Sequence, residues 1–184
     1  LNIELENINK QIEEENKRKE IEAEKKKIEN AKKNQLVLID KMNPKIYSRA
    51  YMVIYNLHFE PLIINKTEKD IRDITIGTLH YDREGYPHKD EYNSSSAIHF
   101  IEETINDVNI TRNSSKLISH YSSGGLDSVI KKVHSSSSKE TIEEYQRDCQ
   151  AIGSVKSVTF YDGSTWDNEY YKYWLDKYKD QRLI

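Results

Sequence analysis

The chain has 184 residues, 36% hydrophobic and 32% charged, with a formal net charge of -3 and a mean hydropathy of -0.86. That is room for one ordinary domain and an appendage, and too polar for one globule of the full length, so part of the chain is expected to lie outside the core. The balance of charge gives no bulk attraction to nucleic acid or anionic membranes, and the single cysteine, Cys149, excludes a disulfide framework and a Cys-based zinc site within one chain.

Residues 1–43 lack glycine and proline, and Leu1 to Asn34 carry nine acidic and nine basic side chains. Glu6–Lys10, Glu13–Lys17, Glu14–Arg18, Glu15–Lys19, Glu22–Lys26 and Glu29–Lys33 all stand at i,i+4 with the acid first. That order supports an isolated helix by about 0.2–0.5 kcal/mol per pair. Leu1, Leu5, Ile8 and Ile12 follow coiled-coil spacing, but Ile21 and Ile28 fall out of that register. The segment 1–43 is therefore read as a charged helix, either a coiled-coil oligomeriser or a solvated spacer, reaching about 50 Å at 1.5 Å per residue.

From Asn43-Pro44 onward β-branched and aromatic residues dominate. "AYMVIYNLHFEPLII" (Ala50–Ile64) alternates with strand period, "NKTEKD" (Asn65–Asp70) is a polar turn, and "IRDITIGTLHYD" (Ile71–Asp82) is a second strand. "DREGYP" (Asp82–Pro87) is turn chemistry around Gly85. Ser96 to Tyr121 predicts two or three short strands, with turns at "ETIND" and "TRNSS". In Ser122–Gly153, Thr141 to Gln150 reads as one short helix, and "SVKSVTFYDG" (Ser154–Gly163) is the clearest late strand. Short strands separated by turn signals predict a mainly β domain, a β-sandwich, over residues 44–184.

Two stretches carry a resemblance. "LIINKTEKDIRDITIGTLHYDREGYP" (Leu62–Pro87) resembles the strand–turn–strand of small immunoglobulin-like domains of Gram-positive bacteria, the FxLYD-like kind. "VKSVTFYDGSTWDNEYYKYW" (Val155–Trp174) is similar to the last strand and tail of an uncharacterised group of such domains, which often follow a zinc ribbon, a membrane helix or a coiled stretch. The likeness covers Pro44 to Tyr178 loosely and implies an immunoglobulin-like sandwich with extracytoplasmic or cell-surface placement. The chain departs from it in an insertion, Leu126–Gly153, and in showing no zinc ribbon or membrane segment. No apolar run nears the roughly 20 residues that span a bilayer, and no signal-peptide pattern is visible. Because the chain begins at Leu1 and not methionine, an upstream targeting or anchoring segment remains an expectation.

Motifs for chemistry are sparse. His80 and Asp82, two apart on a predicted strand, share a face there, and the Gly85 turn could bring His88 near them. They are weak metal candidates, because strand ends and turns are commonly polar. No nucleophile elbow, P-loop or dinucleotide fingerprint is present, and Cys149 stands at the wrong end of its predicted helix for a low-pKa thiol. No catalytic residue and no cofactor is assigned. Asn65, Asn93, Asn109 and Asn113 match the glycosylation sequon, which in an Asn- and Ser-rich chain arises readily by chance.

The last stretch holds both tryptophans. With Asp167 or Asn168 as N-cap, Tyr171, Trp174, Leu175 and Tyr178 form one apolar helical stripe, read as structural closure of the domain. Trp166, Tyr170 and Tyr173 are left as interaction candidates. The sequence thus predicts a non-enzymatic interaction or adhesion module, envelope-associated, whose partner is another protein or an envelope component. The helix allows a homo-oligomer, and a membrane would be reached only through a segment absent from this chain. Two alternatives stand beside it: a metal-dependent or hydrolytic enzyme using the His80/Asp82/His88 region, and a cytoplasmic adaptor from a phage or mobile element.

Overall fold

A computed structural model of the chain describes residues 2–48, 54–87, 99–119, 131–134 and 150–183, with side chains described for 8–45, 59–87, 99–119 and 150–183. Two units emerge, Leu1–Gln35 and Leu36–Ile184. The first is helix α1 (Asn2–Lys33). Among the described side chains, the i,i+4 pairs Glu13–Lys17 at 2.9 Å and Glu15–Lys19 at 2.7 Å close as ion pairs, all four side chains about two-thirds exposed. Lys32 and Lys33 suit the negative end of the helix dipole, and Gln35 Nε2 donates to the Lys32 carbonyl to finish the turn. Ile8, Ile12 and Ile21 are each about half exposed. At 3.6 residues per turn Ile8 and Ile12 point roughly opposite to Ile21 and Ile28, so no continuous apolar seam forms.

The second unit begins earlier than the Asn43-Pro44 step suggests. Strand β1 (Val37–Ser48) starts three residues after the α1 bonds run out. The cause is the run Leu36-Val37-Leu38-Ile39, in which Val37 is fully buried and Ile39 packs on the core. Pro44 is carried inside β1, opposite Phe59. It is tolerated because β1 is an edge strand.

The remaining strands are β2 (Ile54–Asn65), β3 (Ile71–Tyr81), β4 (Phe100–Ile105), β5 (Ser114–Leu117), β6 (Lys131–His134), β7 (Gln150–Phe160) and β8 (Thr165–Asp167). They make two four-stranded antiparallel sheets: β1-β2-β5 with β6 also on β2, and β4-β3-β7-β8. The expected strand and turn positions from Ile71 through Pro87 agree with β3 and the Gly85 turn. Of the Leu126–Gly153 insertion, β6 and the first residues of β7 are described. The helix expected over Thr141–Gln150 lies outside the described residues, except for Gln150, which opens β7. Cys149, His88 and Asn93 also lie outside them.

The sheets pack face to face. Val37 and Ile63 from one meet Ile74, Ile76, Ile105, Val155, Val158 and Phe160 from the other, all buried. Gly153 lets them approach closely, since a Cβ there would stand 2.7 Å from Ile39 Cδ1 and 3.0 Å from Met42 Sδ. β3 is buried on both faces from Ile76 to Tyr81. Ile76 and His80 face the other sheet, while Gly77 and Tyr81 lie under a second helix, α2 (Tyr170–Tyr178). The short helix at the end of the domain is therefore present, and it roofs the outer face of the second sheet. Its N-cap is Glu169, and just before it Asn168 braces the start, its Oδ1 accepting the Tyr170 amide at 3.0 Å and its Nδ2 donating to the Val155 carbonyl at 2.7 Å.

Candidate functional site

Strand direction brings the β2–β3 turn, the β4–β5 connection and the β7–β8 turn to one end of the two sheets. Each is short, and side-chain and backbone bonds tie each to its neighbours. Asn65 is the hub, 1% exposed at the end of β2. Its Oδ1 accepts from the Thr67 amide at 3.0 Å and from the Thr67 hydroxyl at 2.7 Å. Its Nδ2 donates to the carbonyls of Lys69 at 2.8 Å and Thr111 at 3.1 Å. The Asn-x-Thr pattern thus serves a turn that reaches across to the neighbouring loop, and the amide a glycan would need is already used.

The β4–β5 connection holds Asp107, Asn109 and Asn113 at φ of 52°, 51° and 49°. Only Asn and Asp enter this left-handed region at small cost among residues with a Cβ. Between them Val108 and Ile110 turn inward and are buried. The loop is held by Asp107 N–H to Asp73 Oδ1 at 3.1 Å, Arg112 N–H to Asp70 Oδ1 at 2.7 Å, and Asn113 Nδ2 to Glu68 Oε1 at 2.8 Å. Burial pushes the Asp73 carboxyl up, but the Asp107 amide and the Arg72 guanidinium outweigh it and hold the group below the usual carboxylate range.

The β7–β8 turn, Tyr161-Asp162-Gly163-Ser164, needs Gly163 at φ 83°. Asp162 accepts from the Ser164 amide and hydroxyl and pairs with Lys69 at 2.7 Å. Hydrogen bonds from Lys69 and Ser164 draw its carboxyl far below the ordinary range. Lys69 also stands 5.5 Å over the Phe160 ring. Tyr161 donates its hydroxyl to Asn109 Oδ1 and its amide to the Asp70 carbonyl, yet its side chain is 53% exposed. The result is a pinned rim of three loops that displays one large aromatic among Lys69, Asp162, Glu68 and Arg112. Asp70, Asp73 and Asp162 accept from backbone amides, Asp162 also pairs with Lys69 and Glu68 accepts from Asn113, so the arrangement suits recognition by shape and mixed charge.

The residues predicted from sequence fall elsewhere. Trp166 sits in β8 opposite Val158 and packs on the core. Tyr170, expected to be displayed, is buried, because α2 begins at Tyr170 and presses its first turn onto the sheet. Tyr173 is half-buried. Tyr171 and Trp174 are buried as the structural stripe requires, their rings stacked 5.6 Å apart, while Leu175 and Tyr178 are half-buried. Tyr171 lies over Gly77 and donates to Glu102 Oε2 at 2.8 Å, and Lys156 pairs with Glu102 Oε1 at 2.6 Å. Burial and the Glu102 carboxylate push the Tyr171 hydroxyl far up.

His80 and Asp82 do not meet as a ligand pair. The His80 ring is buried 5.9 Å from Phe59, while Asp82 Oδ1 accepts the Tyr86 amide at 2.8 Å in the turn. Among the described residues no group of three or more His, Cys, Asp or Glu is placed to hold a metal ion, and no helix is long and apolar enough to cross a membrane. Tyr161 and Lys69 were missed by the sequence reading, although the "YDGS" turn and the Asn-x-Thr turn mark the loops that carry them.

Residues 59–181 match a family of unknown function, DUF5780. Among solved structures, a hypothetical protein from Peptoclostridium difficile 630 is similar over 82% of this chain and 94% of its own, with a TM-score of 0.58 and 15% identity. That likeness concerns the fold alone. No curated protein matches the chain.

Proposed function

We propose that the chain, which belongs to the DUF5780 family, works as a non-enzymatic interaction or adhesion module. In this reading the second unit is an immunoglobulin-like β-sandwich that grips another protein or an envelope component at its loop end. Helix α1 serves as spacer or oligomeriser through Ile8 and Ile12. One observation carries the reading: three left-handed non-glycine residues are held by side-chain bonds around an exposed Tyr161. Such conformations are costly and persist where the surroundings fix them, and a pre-ordered rim loses little entropy on binding.

The test uses purified chain, immobilised and exposed to envelope extract, beside Tyr161→Ala and Lys69→Glu. The reading expects a macromolecule retained by the unaltered chain and lost from both variants. Equal retention by the Tyr161→Ala variant refutes the loop-end site. The oligomeriser role is tested separately by sedimentation equilibrium of Ile8→Asn/Ile12→Asn. A dimer that survives this change does not run through α1.

A further inference from the structure

His99, at the entry to β4, is 5% exposed and has both ring nitrogens engaged by backbone groups of fixed polarity. Nδ1 lies 2.8 Å from the His80 carbonyl oxygen, which can only accept. Nε2 receives the Asp180 amide at 3.1 Å, which can only donate. One protonation state satisfies both, the neutral ring with hydrogen on Nδ1. The ring is fixed further by the edge of Tyr81, 5.1 Å away, and by a backbone bond from the His80 amide to the His99 carbonyl at 2.8 Å.

Asp180 belongs to a segment, 179–183, laid across the end of β3 and β4. Tyr81 donates to the Tyr178 carbonyl at 2.8 Å just before it. Lys179 stands 4.8 Å over the Phe100 ring, Arg182 donates to the Glu84 carbonyl at 3.0 Å and lies 4.5 Å over the Tyr86 ring, and the Leu183 amide donates to the Gly85 carbonyl at 2.7 Å. Asp180 itself is in the left-handed region at φ 60°. The Arg182 bond is exposed, while the bond from Tyr81 to the Tyr178 carbonyl and that from the Asp180 amide to His99 are part-buried.

We infer that His99 is a proton-operated latch, holding segment 179–183 against the β3–β4 end when neutral and releasing it when Nε2 is protonated. A proton on Nε2 turns the acceptor into a donor facing the Asp180 amide, so two N–H groups confront each other and the bond is lost. Among the described residues, the titratable and charged groups around the ring are His80 and Tyr81 of β3, and Tyr178, Lys179 and Asp180 of the docked segment. The Asp180 carboxylate does not replace the lost contact, because it is the amide of that residue that is held against the ring. Release uncovers the Phe100 ring beneath Lys179, at the end opposite Tyr161.

Backbone amide exchange by NMR, corrected for intrinsic rates, tests this at about pH 7.5 and about pH 5.0. In the unaltered chain the Asp180 and Leu183 amides are expected to lose protection by about tenfold or more on acidification, while core amides such as Ile74 keep theirs. His99→Gln, whose Oε1 can accept at the Nε2 position without titrating, should keep the segment docked at both pH values. His99→Asn, which keeps a donor near His80 but offers no acceptor to Asp180, should leave it undocked at both. Long-range nitrogen correlation on the unaltered chain reads the tautomer directly and needs no variant to fold. A ring protonated on Nε2 at neutral pH overturns the latch, and so does an unchanged Asp180 amide at low pH or a His99→Gln chain that releases the segment as the unaltered chain does.

Discussion

Gly77→Ala is the sharpest perturbation of the packing that closes the domain. An added Cβ would stand 2.9 Å from Tyr171 Cε2 and 3.0 Å from Cζ, and would press on the hydroxyl oxygen itself. The ring has little room to yield, since it is buried, stacked on Trp174 and bonded to Glu102. Displacing it costs about 1–3 kcal/mol of overpacking. Breaking the bond to a charged acceptor adds about 1.5–3 kcal/mol, taken at the low end because the Glu102 side chain is 33% exposed and keeps Lys156. Against this stands a gain of about 0.5–1 kcal/mol from the stiffer unfolded chain. The net expectation is a loss of about 2–4 kcal/mol by urea unfolding. Tyr171→Phe removes the nearest atom, so in that background the cost of the added methyl should fall. A Gly77→Ala variant within about 0.5 kcal/mol of the parent, or a double-variant cycle with no coupling, refutes this account of the α2 docking.

Trp174→Ala, at a site 4% exposed, should cost about 3–5 kcal/mol and remove near-ultraviolet dichroism from the Tyr171–Trp174 stack. Unchanged thermal unfolding would mean that α2 does not close the domain. Asn65→Ala takes the acceptor from the Thr67 amide and one of two donors from each of the Lys69 and Thr111 carbonyls, which keep the Thr67 and Ser114 hydroxyls, and should lower stability by about 1–3 kcal/mol, with faster amide exchange at Asn113. Alkaline titration has a defined sign. Burial raises the Tyr81 hydroxyl to about 12, and Tyr171 is also raised, so their contribution is complete below the ordinary tyrosine value near 10 and is lost as pH climbs through the folded values. Thermal unfolding temperature should fall above about pH 10, and Tyr81→Phe should lessen the fall.

Local chemistry made much of this legible in advance. The i,i+4 charge pairs wrote α1, the alternation in Ile71–Asp82 wrote β3, and Gly85 and the Asn65–Asp70 run marked the turns. The failures have physical causes. β1 was hidden because Lys41 and Lys45 continue the charged character of α1, and Pro44 reads as a boundary until an edge strand accommodates it. Tyr170 was misplaced because a nine-residue helix laid flat on a sheet buries a wider arc than its stripe, so i and i+1 at its start both go under. Asn65 reads as a turn residue, but its role as a hub depends on Thr111, 46 positions away. Tyr161 has no local signature of exposure, since only the assembled end of the sheets shows which side of the β7–β8 turn faces out.

The claim that recognition belongs to the loop end is tested most directly by site-specific photocrosslinking. A photoreactive phenylalanine derivative is placed at position 161 in one variant and at position 86, exposed in the turn at the other end, in a second. Both are irradiated in envelope extract. The account predicts a discrete adduct from position 161 and none from position 86. An adduct from position 86 alone, or none from position 161 in a folded chain, would contradict it.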